Sequence, residues 1–178
     1  MKHIKKIILT GAPGTGKSSI INYLKNINFK CFDEVWDKKF KNPSKNNDSD
    51  QIIDFSKYLF KIRRNQFEIN SIEQNYKENI IFYDRSLIDI ISYLKTYNKT
   101  IQEEWMNYIK LNNYYKKVFY CPLWEEIYVK NSMRHEDYEE TINIDKQNRE
   151  LYKELNYKII EIPKKSINER VKFILNNI

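Results

Sequence analysis

Eight residues, Gly11-Ala12-Pro13-Gly14-Thr15-Gly16-Lys17-Ser18, hold all three glycines of this 178-residue chain. They fit the pattern G-x-x-x-x-G-K-[ST] at every required position. The apolar run Ile7-Ile8-Leu9 precedes them, and Ile20, Ile21 and Leu24 follow at helical spacing. The chain is thereby committed to a strand, a tight loop and a helix in direct succession. In such a loop, glycines let the backbone curl until successive N–H groups face inward. The start of the helix adds the positive end of its dipole. The pattern therefore predicts a nucleoside triphosphate site with Mg2+. Gly11, Pro13, Gly14, Thr15, Gly16, Lys17, Ser18 and Ser19 would surround the phosphates, with Lys17 reaching the β- and γ-phosphates and Ser18 ligating the cation. A dinucleotide fingerprint on Gly14-Thr15-Gly16 would need a third glycine where Ser19 stands.

Beyond this loop, strand-like and helix-like segments alternate. Residues 4–10, 29–33, Asn79–Tyr83, Lys117–Pro122 and Lys158–Ile162 read as strands. Helices are expected at 17–26, then over a long segment with Ile52, Phe55, Leu59, Ile62 and Phe67 inward, then at 87–97, 101–113, 138–155 and the C-terminus. Thr100 with Glu103, and Ser166 with Glu169, have the spacing of capping boxes. The polar stretch 41–51 reads as a loop, and 123–137 as irregular. Strands separated by helices predict an α/β layered sandwich with a parallel sheet, and the whole of 1–178 reads as one domain. In such sheets ligands bind at the carboxyl ends of the strands. Those ends carry Thr10-Gly11, Asp33-Glu34, Asp84-Arg85, Cys121-Pro122 and Ile162-Pro163.

Several charged residues gather there. Asp84, ending an apolar run, fits a carboxylate that serves Mg2+ or positions the attacking group. Arg85 beside it would clamp a phosphate, or else pair with an acid at the sheet edge. Glu34 is a candidate to accept an acceptor hydroxyl's proton, with Asp33 and Asp37 as neighbours in the same segment. Arg134, in a lid segment of about 123–140, would supply charge to the transferred group. Arg63 and Arg64 sit side by side on the long helix, where one faces water. Trp124 would pack the base of the lid against the sheet.

Composition narrows the partners. The net charge is +7, but the lysines are scattered and no nucleic-acid motif accompanies them. A nucleic-acid partner, such as a polynucleotide end, is thus the third choice and stays open. Cys31 and Cys121 lack metal-ligand spacing and read as small apolar fillers in a reducing cytoplasm. No stretch has the length of a membrane span, and the first residues do not read as a signal peptide. ATP is the default nucleotide. GTP stays open, although Asn98-Lys99-Thr100-Ile101 lacks the aspartate of a guanine-reading Asn-Lys-x-Asp string.

Together these residues resemble a family of small P-loop proteins described as AAA-type or kinase-like ATPases, related to the ribosylnicotinamide kinase domain. Asp84-Arg85-Ser86 with Asp89 and Tyr93 is similar to the family's Asp-Arg…Asp…Tyr segment. Pro122-Leu123-Trp124-Glu125-Glu126-Ile127-Tyr128 is similar to its Pro-Pro-Trp-Glu-Glu segment, and Tyr152 and Asn156–Pro163 with Glu169-Arg170-Val171 to its closing segment. The resemblance implies a three-layer nucleoside- or nucleotide-kinase-like fold with strand order 2-3-1-4-5. Asp84-Arg85-Ser86 also resembles the Asp-Arg or Glu-Arg motif of thymidylate and deoxynucleoside kinases, where the arginine contacts phosphate and the acid serves the metal or acceptor. Glu34 matches a carboxylate after the family's second strand, but Asp37 stands where the family often has arginine. The expected activity is phosphoryl transfer to a small nucleoside, nucleotide or ribosyl cofactor precursor. The alternative is a nucleotide-dependent switch that hydrolyses slowly. Oligomeric state is left open.

Overall fold

The computed structural model describes residues 4–35, 37, 49–73, 75–127 and 138–178. Five parallel strands form one sheet: β1 (Lys5–Thr10), β2 (Lys30–Phe32), β3 (Ile80–Asp84), β4 (Lys117–Tyr120) and β5 (Lys158–Glu161). Their order across the sheet is β2-β3-β1-β4-β5, as the resemblance implied. Six helices join them: α1 (Lys17–Asn26), α2 (Ser49–Phe67), α3 (Leu87–Thr96), α4 (Glu103–Leu111), α5 (Tyr138–Glu154) and α6 (Ile167–Asn176). Among the described residues, no helix is long and apolar enough to cross a membrane.

The alternation of side chains along β1 makes the three layers. Ile7 and Leu9 face one side, where they meet Ile20, Ile21 and Leu24 of α1 and Val171 and Ile174 of α6. Ile8 faces the other side, among Leu59 of α2, Ile88 and Ile91 of α3, and Leu151 of α5. Burying each such side chain contributes about 1.5–3 kcal/mol. Because both faces are covered, the central strands read as unbroken apolar runs rather than as alternating ones.

β1 and β3 are neighbours in register from Lys5 opposite Ile80 to Leu9 opposite Asp84. The helix after β1 packs on one face and the helix after β3 on the other. Their divergence opens the crevice in which α/β sheets bind ligands.

The ends of these strands are pinned by one buried carboxylate. Asp89, in the first turn of α3, accepts from the Thr10 hydroxyl at the end of β1. It also accepts from the Ser86 amide at 2.7 Å and the Ser86 hydroxyl at 2.9 Å, which closes a capping box for α3. From α5, Asn148 Nδ2 reaches it at 3.2 Å and the Tyr152 hydroxyl at 2.7 Å. Burial pushes the Asp89 carboxyl up, but Arg85, Arg63 and its hydrogen-bond donors outweigh that and hold it below its ordinary value.

Three expectations change in detail. The long helix starts at Ser49, so 49–51 are helical rather than loop, with Asp50 favourably placed in the first turn. Residues 41–48 lie outside the described residues. Thr100 and Glu103 form no capping box, because α4 begins at Glu103 itself behind Gln102, and Glu103 and Glu104 complement its N-terminal dipole directly. Ile62 is half-buried, and the face of α2 turns Arg63 inward instead. The Ser166–Glu169 box is formed as expected.

Replacing Asp89 by alanine leaves Tyr152, Asn148 and Thr10 without their acceptor, and should cost about 3 kcal/mol. Tyr152→Phe, which removes one donor, should cost about 1 kcal/mol. Urea unfolding midpoints measure both; equal stability of the Asp89 variant and the parent would contradict the assignment.

Candidate active site

The loop after β1 is shaped by a close approach. Gly11 adopts φ 137°, and a Cβ there would lie 2.2 Å from the Cys121 carbonyl oxygen at the end of β4. Only glycine fits. Gly16 caps α1 at φ 80° without a side-chain capping bond, and the first turn of α1 contains no acid. The positive helix end is therefore left uncompensated by the chain itself, the condition that suits an anion. Thr15 donates to the Ala12 carbonyl at 2.9 Å and holds the loop closed.

Lys17 is buried at 4% exposure, and its ammonium donates to the carbonyls of Gly11 at 3.0 Å and Ala12 at 2.9 Å. An ammonium has three donors, so two are committed to the loop. Burial and the Arg85 charge lower its pKa, partly opposed by Glu34 and Asp84.

Facing the loop is an ion pair. Arg85 Nε donates to Glu34 Oε1, and Arg85 Nη1 donates to the Gly11 carbonyl at 3.2 Å. Arg85 thus ties the end of β2 to the start of the phosphate loop. It does so from the left-handed region, at φ 70°, where an arginine is strained. Its amide, bonded to the Leu9 carbonyl at 3.0 Å, and the Ser86 cap of α3 hold it there. Burial opposes its charge, but Glu34, Asp89 and Asp84 keep the guanidinium protonated. The Glu34 side chain is 42% exposed, so it is open to a molecule approaching from solvent. Burial raises its pKa, and Arg85, Lys17 and Arg63 outweigh that, holding the carboxyl well below the usual range.

Asp84 and Ser18 complete the group. The Ser18 hydroxyl donates to Asp84 Oδ2 at 3.3 Å. Asp84 is 3% exposed, and its Oδ1 has no hydrogen-bond partner among the described residues. Burial, then the nearby Glu34 charge, push its carboxyl up to about 6, against the pull of Lys17, Arg85 and Arg63. A buried carboxylate oxygen without a partner is costly unless a cation meets it. Hard oxygen donors from one carboxylate and one hydroxyl fit Mg2+ carried by substrate phosphates, which needs few protein ligands. No cluster of three or more His, Cys, Asp or Glu among the described residues offers an all-protein metal cage.

The structure brings Lys17, Ser18, Glu34, Asp84 and Arg85 together, along with Gly11, Gly14, Thr15 and Gly16 of the loop. Of the three acids after β2, Glu34 is the one that reaches Arg85. Asp33 pairs with Lys25 on the surface, and Asp37 bonds to Tyr58. Pro13 is half-buried and Ser19 exposed at the loop's flanks. Arg134 lies outside the described residues, as does most of the segment 123–140. The two helix arginines divide as expected. Arg63 is buried and donates to the Ser86 carbonyl at 2.8 Å, while Arg64 pairs with Glu68 and covers the Tyr108 ring.

Residues 6–170 match the family model AAA_28, described as AAA domain. The chain belongs to the AAA_28 family. No curated protein matches it in sequence. Among solved structures, this AAA_28 chain is similar to the deoxyadenosine kinase from M. mycoides, at TM-score 0.69 and 19% identity over 97% of both chains. It is similar to the NadR protein in complex with NR at TM-score 0.68 and 17% identity, covering 98% of this chain but only 51% of NadR. Thymidylate kinase from Ehrlichia chaffeensis matches at TM-score 0.62 and 16% identity over 98% of both. At these identities the likeness establishes the P-loop kinase fold.

Sequence reasoning did not give Asp89 its role as a hub, although Ser86-x-x-Asp89 has the form of a capping box. Asn148 carried no signal of its own. Thr10, at a strand end, and Tyr152 and Arg170, in the closing segment of the resemblance, were given no role, though Arg170 stands beside Val171 on the inward face of α6.

Asp84→Asn removes a buried, half-satisfied charge. In the absence of nucleotide and Mg2+, it should raise stability by about 1–2 kcal/mol, while weakening Mg2+-dependent nucleotide binding. Thermal melts with and without MgATP measure both effects; a variant less stable than the parent in the absence of ligand would refute the reading.

Proposed function

We propose that this AAA_28 chain transfers the γ-phosphoryl group of ATP, with Mg2+, to a small acceptor of the nucleoside, nucleotide or ribosyl-cofactor-precursor class. The observation that carries this reading is the Glu34–Arg85 pair, set opposite the phosphate loop and open to solvent. A second carboxylate there, beside Asp84, can orient an acceptor hydroxyl for attack on the γ-phosphate. The structural neighbours favour the same class, since they include a deoxyadenosine kinase, a thymidylate kinase and a NadR protein complexed with NR.

In this reading the loop amides and Lys17 hold the triphosphate, and Ser18 and Asp84 hold the cation. Mg2+, when bound, neutralises charge on the β- and γ-phosphate oxygens. Arg85 stabilises charge that develops on the group in transit. Arg134 adds a further cation from the segment 123–140, a role resting on the sequence. Glu34, clamped by Arg85, is a weak base at neutral pH. Its work is to accept the acceptor's hydrogen bond and aim the attacking oxygen. Phosphoryl transfer through a loose transition state depends on positioning more than on proton removal.

The test is ADP formation from MgATP with and without a panel of nucleosides, nucleotides and ribosyl cofactor precursors. Acceptor-dependent ADP release that Lys17→Ala abolishes is expected. Glu34→Gln should lower kcat about a hundredfold while leaving MgATP affinity near that of the parent. Full transfer by that variant would remove Glu34 from the reaction. Slow hydrolysis that no acceptor stimulates would favour a nucleotide switch, and parallel assays with MgGTP would identify the base.

A further inference from the structure

Arg170, on the first turn of α6, is 3% exposed, yet no carboxylate pairs with it among the described residues. Its Nη2 donates to the Thr15 carbonyl at 3.0 Å and to Cys121 Sγ at 3.2 Å, and its Nε has no partner. The Trp124 ring lies 5.6 Å from the guanidinium carbon, at the start of the segment after β4. A buried cation without a counter-charge is expensive unless an anion nearby balances it.

We infer that Arg170 is a positioning residue for the phosphate loop, acting through the Thr15–Gly16 peptide on the phosphates of the bound nucleotide. The described chain has no cis peptide bond, so the Thr15 C=O and the Gly16 N–H point in opposite directions. Holding the carbonyl outward on Arg170 therefore fixes the Gly16 amide inward. A full positive charge at the carbonyl also polarises that amide and makes it a stronger donor. Gly16 sits at the N-terminus of α1, at φ 80°, where the peptide plane would otherwise be free to turn. Trp124 covers the guanidinium and keeps water from competing for it. The C-terminal helix thus sets the donor geometry of a loop 155 residues earlier in the chain.

This inference rests on the reading of residues 11–18 as a triphosphate site, and the experiment separates the two. Displacement of a fluorescent ATP analogue is measured with MgATP and with magnesium tripolyphosphate, which has no base. Arg170→Met should weaken both about tenfold or more, with acceptor KM unchanged. Arg170→Lys, which keeps the charge and one donor, should recover part of the loss, and added guanidinium should partly restore the methionine variant. Trp124→Ala, at a half-buried position, should weaken both ligands severalfold and decides the matter if the methionine variant does not fold. Parent-like binding by a folded Arg170→Met, or by Trp124→Ala where that variant decides, overturns the inference alone. A loss for MgATP without one for tripolyphosphate also overturns it, by placing Arg170 at the base. A parent chain that binds neither ligand overturns the triphosphate site itself and this inference with it.

Discussion

One carboxylate, Asp89, holds the working end of this molecule together. Five donors converge on it from the end of β1, the cap of α3 and the inner face of α5. Strand ends in a parallel sheet splay as the sheet twists, and a ligand crevice between them needs something that fixes their spacing. Apolar packing does this poorly, because it has no preferred direction. A buried acid with every lone pair engaged has a defined geometry and a high cost of rearrangement. Ser86 joins the hub from the residue that follows Arg85, so the strained arginine is anchored from one side by the hub and from the other by Glu34.

The hub also links the site to the chain on either side of it. The Tyr152 oxygen also lies 2.8 Å from the Ser86 hydroxyl, so the two hydroxyls share their two protons among this contact and their contacts to Asp89. α5, which follows directly on the segment 123–137, is therefore seated on the same carboxylate as the end of β1. At its other end α5 contributes the buried Glu140, which accepts from the Tyr97 hydroxyl. Movement of α5 relative to α3 would have to break polar contacts at both ends.

Much of this was legible in the sequence, for local reasons. The phosphate loop is read from residues adjacent in the chain, and at Gly11 it meets a requirement of backbone geometry that no other residue satisfies. The strands announce themselves because their burial on both faces demands continuous apolar runs. Glu34, Asp84 and Arg85 were found because parallel topology gathers strand ends. Choosing Glu34 over Asp33 was beyond the sequence, since adjacent residues after a three-residue strand differ only in which way each side chain points. The roles of Asn148, Tyr152 and Arg170 were not legible for a related reason. Each is a polar side chain on the buried face of a helix whose partner is far away in the chain, so neither periodicity nor spacing gives the contact.

Several buried charges in the crevice oppose the stability of the chain alone. Lys17 and Arg170 flank the phosphate loop, both buried, and the open N-terminus of α1 lies between them. The carboxylates that could neutralise them are engaged elsewhere: Glu34 with Arg85, and Asp89 with its hub. Asp84 is the exception, a carboxylate left half-satisfied beside the Ser18 hydroxyl. Within the chain alone, these groups feel one another through space, but Asp84 Oδ1 and Arg170 Nε are left without a hydrogen-bond partner among the described residues. In the proposed reading, a phosphate chain carrying its divalent cation would answer both, its anionic oxygens toward the amides and cations and its metal toward Asp84. On that reading, part of the binding energy is held in the folded chain as electrostatic frustration, and this accounts for a buried acid whose Oδ1 has no partner among the described residues.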